Sequence, residues 1–123
     1  MAKKKITVGL IEPVKVKGMK GKIEILGKFD TGAERTSIDR SLLSKIGADP
    51  VGKITTFNVH GKSVRPLVDI KLKIKGKNVN VKANVWDRSS RKYKILIGRD
   101  AIFSNFIVDI TKSHKSHKLR DLR

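Results

Sequence analysis

Apolar and polar residues alternate through the middle of the chain. In Val68-Asp69-Ile70-Lys71-Leu72-Lys73-Ile74 the apolar side chains take the even positions. After Lys75-Gly76-Lys77 they take the odd positions, at Val79, Val81, Ala83 and Val85, up to Trp86. A period of two sends successive side chains to opposite faces of a strand, so this stretch predicts two half-buried strands joined by a tight glycine-containing turn. Ile23, Ile25, Gly27 and Phe29 alternate with Lys22, Glu24, Leu26 and Lys28 and predict another strand. Further strands are expected over Lys5–Leu10, Ile54–Val59, Tyr93–Ile97 and Phe106–Ile110. Two short stretches read as helical: Ser41–Ile46, stopped by Gly47, and Arg99–Ser104, which follows Gly98. Lys15–Lys22, with two glycines and four lysines, reads as a turn. About seven short strands and two short helices make the class mainly β.

The length, 123 residues, suits one domain. There is no cysteine, which excludes a disulfide framework, a thiolate metal site and a cysteine nucleophile. No apolar run approaches the roughly 20 residues that a membrane helix needs. The three lysines near the start have no apolar segment behind them of the kind a secretion signal carries. A soluble cytoplasmic protein is expected, without membrane association. Residues 1–110 are expected to form the domain and 111–123, with five basic residues and one acid, a basic mobile tail. His114 and His117 belong to that tail, so no metal is expected. The net charge of +18, from 29 Lys and Arg against 11 Asp and Glu, points to an anionic partner. Nucleic acid is a secondary expectation. Only six aromatic residues are present, with no platform for stacking bases, and Lys71, Lys73, Lys75 and Lys77 read as a solvated outer face.

Candidate chemistry centres on Phe29-Asp30-Thr31-Gly32-Ala33, where an apolar strand runs into an acid, a hydroxyl and a glycine. Such residues commonly make a β-turn. They also suit a carboxylate held at a strand end by turn amides, with glycine allowing close backbone approach. About 65 residues later, Ile95-Leu96-Ile97-Gly98-Arg99-Asp100 carries three apolar residues into a glycine and a polar helix start.

Together the two motifs resemble those of the retropepsin-like aspartic proteases, over roughly residues 5–110. Asp30-Thr31-Gly32-Ala33-Glu34-Arg35-Thr36-Ser37 also resembles the Asp-Thr-Gly-Ala-Arg-Thr-Ser signature of a cellular branch often labelled ATP-dependent zinc proteases, with Glu34 as an additional residue. The resemblance implies a closed β-barrel of the acid protease fold and a homodimer. Each chain has one Asp-Thr-Gly, and the family's reaction uses two facing carboxylates that share a proton. It implies Asp30, Thr31 and Gly32 as catalytic residues. Ala33, Glu34, Ile38, His60, Gly61, Tyr93 and Lys94 fall where substrate binds, and Gly98 and Arg99 take a structural role, with Arg99 paired to Glu34. The substrate is a peptide or protein, acidic ones being favoured by the charge, and no cofactor is implied. The hairpin tip Phe57-Asn58-Val59-His60-Gly61-Lys62-Ser63 has one glycine where viral relatives are glycine-rich. Two other classes stay open: a binding or regulatory module on the same fold, serving a ligase, and a small basic nucleic-acid-binding protein.

Overall fold

A computed structural model of the protein describes residues 4–112. Nine strands and two single-turn helices follow one another among these residues. They are β1 (Ile6–Val8), β2 (Ile11–Lys17), β3 (Lys22–Phe29), β4 (Ser37–Asp39), a 3-10 turn (Arg40–Leu42), α1 (Leu43–Ile46), β5 (Pro50–Asn58), β6 (Gly61–Ile74), β7 (Lys77–Trp86), β8 (Ile95–Ile97), α2 (Arg99–Ile102) and β9 (Phe106–Val108). His114, His117 and most of the expected tail lie outside the described residues.

Six strands close on themselves in the order β2-β3-β8-β4-β7-β6, with β2 pairing back onto β6. Closure leaves these strands no free edge and a single interior. Val14, Val16, Ile38, Val68, Leu72, Ile95 and Ile97 fill that interior and are wholly buried. β1 and β9 run parallel beside the barrel, with Ile6 opposite Phe106 and Val8 opposite Val108. The edge-to-face contact of Phe29 with Phe106, at 5.8 Å between ring centres, ties this pair to β3. β5 pairs only with β6, and the outer half of their hairpin is largely solvent-exposed. Among the described residues no helix is long and apolar enough to cross a membrane.

The alternating stretches form the strands their period predicts. The turn between β6 and β7 uses two positive φ angles, 47° at Lys75 and 81° at Gly76, which suit the twist of a two-residue hairpin. Gly47 ends α1 at φ 65°, the left-handed conformation of a helix stop. The turn expected over Lys15–Lys22 is confined to residues 18–21, because Lys22 begins β3 and Lys15–Lys17 end β2, which runs through Pro13. Proline is tolerated there because β6 joins β2 only from Lys15 onward, so a missing N–H at Pro13 breaks no ladder on that side. β4 has no alternation because all three of its residues are buried. It sits between β7 and β8 with both faces covered. The strand ends nearest the termini are shorter than expected: β1 stops at Val8 and β9 at Val108.

Asp39 closes β4 and is 3% exposed. Burial by itself would raise its carboxyl pKa. The Ser41 hydroxyl and amide, the Arg88 amide at 2.5 Å and the charge of Lys94 more than offset that, leaving it below the usual carboxylate value. An unfolded Asp titrates near 3.9. With the folded value lower, Asp39 stabilises the fold above about pH 4, and that contribution is lost as pH falls through the folded value. Asp39→Asn is expected to lose about 1–3 kcal/mol at pH 7, with the gap from wild type narrowing at pH 3; urea denaturation at the two pH values measures both.

Candidate active site

The backbone of β3 leaves the barrel at Asp30. The Asp30 amide donates to the Ile97 carbonyl of β8 at 2.8 Å, so the carboxylate starts from a fixed point on the barrel rim. The following turn folds back onto it: the Gly32 amide donates to Asp30 Oδ1 at 2.9 Å and the Ala33 amide to the Asp30 carbonyl at 3.2 Å. A bonded amide stabilises the charged carboxylate and fixes its direction. Thr31 and Gly32 are exposed, and Asp30 is half-buried.

The two sequence motifs cross immediately behind this turn. The Arg99 amide donates to the Ala33 carbonyl at 2.8 Å and the Asp100 amide to the Glu34 carbonyl at 3.2 Å. Thr36 is wholly buried between them. Its amide and hydroxyl donate to Asp100 Oδ1 at 2.9 and 2.8 Å, and its hydroxyl oxygen accepts from the Gly98 amide at 3.2 Å. Gly98 is required by space. A Cβ there would stand 2.5 Å from the Arg35 carbonyl carbon. Arg99 reaches across the same crossing, but its guanidinium donates to the Thr31 carbonyl at 3.1 Å. The expected Arg99–Glu34 ion pair is replaced by that bond, which braces the turn through its backbone.

In front of the turn lies a groove of about 1070 Å³. Asp30, Ala33 and Glu34 border it on one side, Ile54 to Phe57 of the β5–β6 hairpin on another, and Trp86 and Tyr93 on a third. Four expected binding positions lie elsewhere. Ile38 is wholly buried in the barrel. His60 and Gly61 form the exposed hairpin tip, where Asn58 Oδ1 accepts from the His60 amide at 2.8 Å, and neither borders the groove. Lys94 is also outside the groove lining. Its ammonium donates to the carbonyls of Arg88, Ser89 and Arg91 at 3.0, 3.0 and 3.3 Å and so holds that loop closed.

The groove contains a cationic group that the sequence did not signal. Arg35, Arg65 and Arg88 all border it. The Arg65 guanidinium lies 3.7 Å from the centre of the Trp86 ring and donates to Asn84 Oδ1 at 3.3 Å. Arg35 donates to the Lys82 carbonyl at 3.1 Å, and Arg88 Nε to the Tyr93 carbonyl at 3.1 Å. The Nε atoms of Arg35 and Arg65 are buried with no hydrogen-bond partner among the described residues. Burial lowers the pKa of Arg65. Burial and then the neighbouring Arg91 charge lower that of Arg88, against the opposing pull of Asp39 and Asp30. Arginine stays cationic through such shifts. The three come from distant parts of the chain, so only barrel closure brings them together.

Thr36→Val is isosteric and removes the hydroxyl that joins Asp100 to Gly98. It is expected to destabilise the fold by about 1–3 kcal/mol, since a buried amide loses its partner; thermal and urea unfolding measure the loss.

No family model matches the chain, and no curated protein matches it by sequence. Solved structures do match. A protein of unknown function from Legionella pneumophila is 22% identical over 93% of this chain and all of its own, with a TM-score of 0.63. The simian foamy virus protease is 17% identical over 75% of this chain and 90% of its own, with a TM-score of 0.56. The EIAV protease, solved with the inhibitor HBY-793, is 16% identical over 75% of this chain and 83% of its own, with a TM-score of 0.59. The closed barrel and crossed motifs of this chain therefore share the retropepsin-like fold of those viral proteases.

Proposed function

We propose that this protein is an aspartic endopeptidase that works as a homodimer. The observation that carries this reading is the Asp30 carboxylate, held by the Gly32 amide on the border of a groove flanked by a β-hairpin. Hydrolysis of a peptide needs a base for water and an acid for the carbonyl oxygen. One chain offers one Asp-Thr-Gly turn, so the second carboxylate comes from Asp30 of a second copy. Two carboxylates about 3 Å apart hold one proton between them. The ionised one takes a proton from water as the oxygen attacks the scissile carbon. The protonated one gives its proton to the carbonyl oxygen. The tetrahedral intermediate then collapses: the C–N bond breaks, the amine leaves with a proton, and the new carboxyl group remains. In this reading Thr31, which is exposed, meets the facing turn, and the β5–β6 hairpin covers the substrate.

The arginines set the substrate class. Arg35, Arg65 and Arg88 border the groove, where their guanidinium charge favours the carboxylates of an acidic peptide. A binding module of the same fold is the second reading. It is favoured by the three arginines that border the groove with Asp30, a lining suited to holding an anionic ligand.

Asp30→Asn is expected to lower peptide hydrolysis about 1000-fold or more, the scale of a lost acid–base group, while sedimentation still shows a dimer. Undiminished cleavage by the variant, or a wild type that stays monomeric at tens of micromolar, overturns the dyad. Arg65→Gln is expected to lower kcat/KM roughly ten- to hundredfold for acidic peptides, the loss of a charge-assisted hydrogen bond, and to leave neutral peptides unaffected.

A further inference from the structure

Strand pairing assembles a face that no single segment of the chain displays. On the outside of the barrel, β2 is flanked by β3 and β6. Lys17 stands directly opposite Lys22 on one side and Lys71 on the other. In the next outward row, Lys15 stands opposite Lys73 and Glu24. The residues between these rows, Val16 and Leu72, are wholly buried, so the lysines share the outer surface. Asn80 and Asn78 of β7 extend the two rows opposite Lys71 and Lys73.

Directly opposed residues on neighbouring strands lie about 5 Å apart, and like charges in that position destabilise a sheet. The barrel compensates elsewhere: Lys82 pairs with Asp69 at 2.9 Å and Lys75 with Glu12 at 3.4 Å. Lys17, Lys22, Lys71 and Lys73 have no carboxylate within ion-pair distance among the described residues. A solvated strand face does not require like charges in register across three strands. A polyanion laid over them would relieve their repulsion.

We propose that this lysine face binds the sugar-phosphate backbone of nucleic acid, without reading its sequence. The chemistry of the face selects this partner. Lysines are flexible point charges that match a row of phosphates, and the asparagines supply further donors. There is no aromatic side chain among the paired residues to stack on bases, so the contact is to backbone alone. The core of a protein–protein interface is depleted in lysine and enriched in aromatics, the reverse of this composition. A membrane-surface helix or loop inserts several apolar side chains beside its cations; the rows themselves carry none, and exposed Met19 stands beside Lys17 in the adjoining turn. The face is also separate from the groove. Lys22 begins β3 and Phe29 ends it, so the Asp30 turn is a strand length away, roughly 23 Å at strand rise.

The test is fluorescence-anisotropy titration of the full chain with a labelled generic duplex, at 50 and 200 mM salt. The variants are Lys17→Gln/Lys71→Gln/Lys73→Gln and a charge-matched control on other surfaces, Lys5→Gln/Lys53→Gln/Lys112→Gln. Wild type is expected to bind at low salt and to weaken steeply with salt. The face variant is expected to lose at least tenfold in affinity at 50 mM and to flatten the log–log salt slope by about three, near one per lysine. The control is expected to lose threefold or less. The face variant should keep its thermal midpoint or raise it, because repulsion is removed. No binding by wild type at 50 mM overturns the proposal. So does equal weakening of the two variants, which would assign binding to diffuse charge. Equal or tighter binding to vesicles of mixed neutral and anionic phospholipid overturns it in favour of a lipid surface.

Discussion

The crossing of two backbone segments at Gly98 holds the candidate site together. Any side chain on residue 98 would collide with the Arg35 backbone, so the segments approach to a distance that only glycine permits. The space so saved is used by Thr36 and Asp100, whose mutual hydrogen bonds replace the ladder that two strands would otherwise make. From this crossing the Asp30 turn leaves in one direction and the single turn of α2 in the other. Arg99 and the Ala33 carbonyl then fix the turn from behind. The exposed carboxylate is thus mounted on a buried support. Its position depends little on the residues that solvent or a ligand can reach.

The groove and the outer lysine face both show how barrel closure turns sequence charge into local chemistry. The net charge of +18 is a property of the whole chain and says nothing about placement. Closure divides it. Arginines, with planar guanidinium groups and fixed contacts to Trp86, Asn84 and backbone carbonyls, gather where the wall is partly buried. Lysines line the strand positions that face water. Desolvation explains the division, because guanidinium is more weakly hydrated than ammonium and tolerates partial burial better.

Much of the barrel was legible in the sequence where one face of a strand is wet and the other dry. β6 and β7 carry that alternation over many residues, and their turn carries the glycine it needs. β4 was not legible, because a strand buried on both faces leaves no period to detect. β2 was hidden by Pro13 at its start and by the lysines and glycines at its end. At the site, Asp30, Gly32 and Gly98 could be named because local motifs carry them. Arg35, Arg65 and Arg88 could not, since what unites them is a long-range register. Ile38 shows the opposite failure. The resemblance implied a binding role for it, but β4 carries it into the core.

The parallel pairing of β1 with β9 has a consequence for how the chain reaches its native state. Ile6 meets Phe106 across 99 residues of intervening sequence. A contact of that separation closes late, because the loop entropy must be overcome before the contact gains anything. During synthesis the hairpin of β6 and β7 can form as soon as both strands have emerged. β1 has no partner until Phe106–Val108 has been made. The crossing likewise waits on Gly98–Asp100, so the Asp30 turn acquires its support only after that distant segment has been made. A nascent chain therefore carries the Asp30 carboxylate unbraced from its own emergence until the Gly98–Asp100 segment has followed.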